Sequence, residues 1–106
     1  MQNVFHLVSD PGHSWLKVPL TELDRLNISV ATLTNYSYHR NGMAYLEEDR
    51  DMGVFTRARE AAGQPYTTKV FNRVRTSKIR NYRPLLEDLG LSPPGWKSGP
   101  FIQPTE

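Results

Sequence analysis

Three groups of residues have the types and spacing to do chemistry. The first is Asp10, His13 and Ser14, an acid, a base and a hydroxyl within five residues. A hydrolase would use such a set to activate the serine through an imidazole held by the carboxylate. That constellation is defined by geometry, and three residues of one tight turn rarely reach one another productively. The plainer reading is a turn that begins the next element. The second group is Glu47-Glu48-Asp49-Arg50-Asp51. Its carboxylates are hard oxygen ligands of the kind that hold magnesium or calcium, but the run lacks the spacing and the glycine of an EF-hand loop. Acids gathered there also cap and favour a helix start, which is the preferred reading. Exposed, they would present an acidic surface to a basic partner. The third group is basic. Residues 69–83 carry Lys69, Arg73, Arg75, Lys78, Arg80 and Arg83 and no acid. Interleaved with Phe71, Ile79 and Tyr82, these cations could track a phosphate backbone. The alternative is a solvated strand and turn that offsets the acids at 47–51.

Other chemistries are disfavoured. His6, His13 and His39 lack the paired spacing of a helical metal site. The chain has no cysteine, which removes thiolate metal sites, disulfides and a cysteine nucleophile. Its glycines are isolated and form no phosphate-cradling loop. No metal and no cofactor is expected, and the chain reads as a non-enzyme.

The elements that must position these groups can be read in order. Val4, Phe5, Leu7 and Val8 mark a strand over 3–9, closed by the turn sequence Ser9-Asp10-Pro11-Gly12. Leu20, Leu23 and Leu26 recur at helical spacing after Pro19, predicting a short helix that stops at Asn27. Residues 28–34 read as strand or loop. Asn41-Gly42 between two alternating runs predicts a two-residue hairpin, because both turn positions need positive φ. Its register sets Arg40 against Met43, Tyr38 against Tyr45 and Tyr36 against Glu47. Tyr36, Tyr38, Arg40, Met43, Tyr45 and Glu47 then share one face. That face is expected to be the buried one, since the other offers only Ala44 and Leu46 as apolar residues. Displayed instead, Tyr36, Tyr38, Arg40 and Tyr45 would make a stacking platform for nucleic-acid bases. A helix follows the acidic run to about Ala62, with Met52, Phe55, Ala58 and Ala62 on one side and Gly63 as its stop. A strand over 66–71, a helical turn over 77–82 and a short helix over 84–91 complete the pattern. This predicts a single α+β domain over 1–91, a mainly antiparallel sheet with two or three short helices on one face. The Pro/Gly-rich stretch 92–106 reads as an extended or disordered tail.

A chain of 106 residues has room for one domain. Its net charge of +2 conceals the segregation of acidic and basic segments. No apolar run is long enough to span a membrane, and Met1-Gln2-Asn3 begins without a secretion signal, so a cytoplasmic address is expected. An exposed strand edge could pair two copies, leaving monomer and homodimer open.

The segments Asp10-Pro11-Gly12-His13-Ser14-Trp15-Leu16-Lys17-Val18-Pro19, Tyr36-Ser37-Tyr38 and Tyr45-Leu46-Glu47-Glu48-Asp49, with Phe55 downstream, resemble a family of small uncharacterised proteins. These are encoded by bacteriophages, plasmids and other mobile elements of bacteria. The resemblance covers roughly residues 4–83, with Arg50 and the tail as departures. It implies an accessory factor in the bacterial host that binds a host protein or complex, such as an anti-CRISPR inhibitor of host defence. The segregated charges then mark two expected contact surfaces: Glu47, Glu48, Asp49 and Asp51, and Arg73, Arg75, Lys78, Arg80 and Arg83. The alternative functions are nucleic-acid binding through 69–83 with the hairpin tyrosines, and a small hydrolase around Asp10, His13 and Ser14.

Overall fold

The computed structural model describes residues 2–34, 36–73 and 78–91. In chain order they form β1 (Val4–Ser9), β2 (Ser14–Pro19), α1 (Leu20–Arg25), a 3-10 turn (Val30–Thr32), β3 (Tyr38–Arg40), β4 (Met43–Glu47), α2 (Asp51–Ala61), β5 (Thr67–Asn72), a second 3-10 turn (Lys78–Asn81), β6 (Arg83–Pro84) and α3 (Leu85–Asp88). The strands make one six-stranded sheet in the order β5-β1-β2-β4-β3-β6. Every pairing is antiparallel except β1 with β5. The fold is α+β. Among the described residues no helix is long and apolar enough to cross a membrane. Arg75 and the tail 92–106 lie outside the described residues.

The hairpin forms as its turn requires. Asn41 and Gly42 adopt φ of 52° and 78°, and Arg40 faces Met43 while Tyr38 faces Tyr45. The expected pairing of Tyr36 with Glu47 is replaced by a side-chain contact: β3 starts only at Tyr38, and the Ser37 hydroxyl accepts the Glu47 N–H. Trp15 to Val18 belong to a full strand, β2, that the alternation did not mark. Leu16 and Val18 point to one face and Trp15 to the other, and all three are buried. A strand covered on both faces loses its period-two pattern.

The main core lies on the face that carries Ala44 and Leu46. Phe5, Leu16 and Val18 join them there beneath Leu23 of α1, Phe55 of α2 and Leu85 of α3. The hairpin's tyrosine side is therefore not the principal buried face. It holds a smaller cluster of Trp15, Tyr45 and Ile79, with Val8, Tyr38, Met43 and Tyr82 at its margin. Ile79 belongs to the second 3-10 turn, which covers this part of the opposite face.

Along α2, Asp51, Phe55 and Arg59 recur every four residues and all three are buried, whereas Ala62, just past its end, is exposed. Arg59 is fully enclosed. It donates to the Gln64 carbonyl (2.7 Å), Glu22 Oε2 (2.6 Å) and Asn3 Oδ1 (2.8 Å). Its guanidinium lies 5.3 Å from the centre of the Phe5 ring and close to Phe55 and Tyr66, three rings in mutual contact. This one side chain ties α1, α2 and the start of β1 together. Hydrogen bonds from Arg25 and from Arg59 hold the Glu22 carboxyl below its ordinary value of 4.5, against the opposing effect of burial.

Candidate functional site

The acidic run is divided by the fold. Asp51 is buried and accepts hydrogen bonds from the Thr34 N–H, the Thr34 hydroxyl and the Ser37 hydroxyl. It anchors the chain leading into β3 and makes no cap on its own helix. Glu47 is also buried, because alternation along β4 turns it into the space beside Trp15. Glu48 and Asp49 alone remain exposed. A four-residue acidic contact surface is therefore not formed.

The first group is divided as well. Asp10 accepts from the backbone N–H groups of Gly12 and His13 and receives a two-pronged bond from Arg80 at 2.7 and 2.9 Å. Ser14 shares a hydrogen bond with Ser9. The His13 ring is directed at Glu47, with Nδ1 3.4 Å from Oε2. Acid, base and hydroxyl thus serve three different partners. His39 is half-buried. Its Nε2 accepts the Gly42 N–H, which leaves Nδ1 to carry the proton shared with Asp88 of α3.

The tyrosines form no common platform. Tyr45 is buried against Tyr82, and burial pushes its hydroxyl above the ordinary tyrosine value. Tyr38 is half-buried against Trp15. Tyr36 is 59% exposed, ahead of the strand, with Arg50 over its ring.

The cations separate into held and available. Arg80 is fixed by Asp10 and lies over the Trp15 ring; the Asp10 bond also raises its pKa. Arg83 pairs with Asp88 at 3.0 Å. Arg73 and Lys78 are exposed. The register of β5, β1, β2, β4 and β3 sets Lys69, His6, Lys17, Tyr45 and Tyr38 in one row across the sheet. Alternation puts that row on the face away from the three α-helices. Lys69 and His6 are exposed and Lys17 half-buried. Among the described residues, no carboxylate pairs with Lys17, Lys69, Arg73 or Lys78. The His6 ring packs on Phe71, and Lys69 lies over the same ring. Arg40, with its guanidinium over Tyr82, lines a shallow depression with Lys78, Asn81 and Tyr82. This face can neutralise a line of negative charge and offer an aromatic edge beside it.

No family model matches the chain, and neither a curated protein nor a solved structure is similar to it.

Reasoning from sequence missed Lys17 and His6, which come from strands far from the basic stretch. The signal available for Lys17 was its place between Leu16 and Val18, the two residues that face the main core. Also unanticipated was the meeting of His13, Glu47 and Asp49, whose side-chain ligand atoms lie within 4.8 Å of one another. The pairing of Trp15 with Glu47 brings these two distant segments together.

Proposed function

We propose that the protein is a binding module with no reaction of its own, an accessory protein of a bacteriophage or other mobile element working inside a bacterial cell. Its ligand is a nucleic acid, held by the phosphate backbone on the sheet face away from the described α-helices. The observation that supports this reading is the register-matched row Lys69, His6 and Lys17, extended by Arg73 and Lys78 and paired with no described acid. Unpaired cations along one face supply the sequence-independent part of nucleic-acid binding. The His6–Phe71 ring pair lies beside them as an aromatic edge for a base. A basic protein partner is less well supported, because two of the four acids that would meet it are interior. The target of the inhibitor reading is a host defence complex that carries nucleic acid, met through this same face.

The test is binding of fluorescently labelled single-stranded and duplex oligonucleotides at low salt. The double reversal Lys17→Glu with Lys69→Glu is expected to abolish binding, and Glu48→Gln with Asp49→Asn to preserve it. Wild-type affinity in the double reversal, with its fold verified by circular dichroism, would sink the reading.

A further inference from the structure

At one corner of the sheet the β1–β2 turn meets the connection from β4 to α2. His13, Glu47 and Asp49 converge there, one ligand atom from each within 4.8 Å of the others. The corner is held by backbone as well as by the Trp15–Glu47 pairing, since the Glu48 N–H donates to the Ser14 carbonyl at 3.0 Å. Glu47 is only 5% exposed, and its Oε1 is buried without a hydrogen-bond partner. A buried carboxylate oxygen with no donor is strongly disfavoured unless a water or a cation meets it. Arg80, the guanidinium lying over Trp15, is engaged with Asp10. The separation of His13 from Glu47 suits an ion. Two ligands at about 2.1 Å from a tetrahedral metal stand about 3.4 Å apart, and His13 Nδ1 is 3.4 Å from Glu47 Oε2.

We propose that His13, Glu47 and Asp49 form a binding site for a divalent first-row transition ion of the zinc class. One imidazole and two carboxylates suit such an ion better than calcium or magnesium, which favour all-oxygen shells. Three protein ligands leave a fourth position for water. Because His13 and Asp49 sit on separate loops, the ion would tie the β1–β2 turn to the start of α2.

The experiment is calorimetric titration of the full chain with zinc chloride at neutral pH, with a parallel thermal melt. One ion per chain and a raised melting temperature are expected. At a free zinc concentration about a hundredfold above Kd, the unfolding equilibrium constant should fall about a hundredfold. His13 and Asp49 are exposed, so His13→Ala and Asp49→Asn should keep the fold and each lose at least about tenfold in zinc affinity. His6→Ala should bind zinc as the wild type does. No zinc binding by the wild type, or wild-type affinity in both His13→Ala and Asp49→Asn, would overturn the site. So would a loss confined to His6→Ala. These outcomes are independent of whether the row Lys69, His6 and Lys17 binds nucleic acid.

Discussion

Asp49 and Asp51 stand two residues apart in one acidic run, yet the fold gives them opposite roles, and that difference can be measured. Asp51 is 2% exposed and receives the Thr34 N–H, the Thr34 hydroxyl at 2.8 Å and the Ser37 hydroxyl. Ser37 in turn takes the Glu47 N–H at 3.0 Å. In Asp51→Ala these donors lose a charged acceptor in a site closed to water. Hydrogen bonds to a charged group contribute about 1.5–3 kcal/mol each, and a stranded buried donor costs about 1–3 kcal/mol. The contributions overlap within one network, so the expected destabilisation is about 3–5 kcal/mol, a large share of the roughly 5–15 kcal/mol that stabilises a domain. Asp49→Ala removes an exposed carboxylate and should change stability by about 0.5 kcal/mol or less in metal-free buffer. Urea unfolding followed by tryptophan fluorescence, with unchanged m-values, gives both numbers. Equal effects of the two substitutions, or an Asp51→Ala midpoint at the wild-type value, would refute the assignment of Asp51 to the scaffold.

Arg59→Ala is expected to cost about 3–5 kcal/mol in the same assay, since it opens a cavity under Phe5 and removes three donated bonds. Arg59→Lys should recover little of this, because an ammonium cannot reproduce the planar fork. Stability should also fall in acid through Glu22. Its folded pKa lies below the ordinary 4.5, so its contribution is complete above that value and is lost as pH drops through the folded pKa. Urea midpoints measured across the acid range should show Glu22→Gln destabilising at neutral pH and progressively less so below pH 4.5.

How much of this was legible in the sequence follows from where each determinant lies. The hairpin was readable because Asn41 and Gly42 state their own backbone requirement. The helix stops at Asn27 and Gly63 were readable for the same reason, with φ of 58° and 70°. The strand β2 was obscured because both its faces are covered, so no alternation of polarity survives. The parallel pairing of β1 with β5 depends on contacts across some sixty residues of chain, and no local signal encodes it. Arg59 has the appearance of a solvated helix charge until Phe5, Tyr66, Glu22 and Asn3 arrive from elsewhere. The site was legible only in outline. The basic stretch contributes Lys69, Arg73 and Lys78 to the proposed face, while Arg80 and Arg83 are drawn off by Asp10 and Asp88. The other half of the row, His6 and Lys17, follows from strand register, which a one-residue slip would have sent to the opposite face.

The central claim is that an available row of cations binds a phosphate backbone. Its most direct measurement is the salt dependence of affinity for a labelled single-stranded oligonucleotide. If Lys17, Lys69, Arg73 and Lys78 each neutralise one phosphate, the logarithm of the association constant should fall with the logarithm of salt at a slope of about −3. Between about 50 and 200 mM salt the wild type should lose about 50-fold in affinity, and Lys17→Ala with Lys69→Ala only about 7-fold from a weaker start. Absence of binding at the lower salt, or an affinity indifferent to salt in both proteins, would contradict the account.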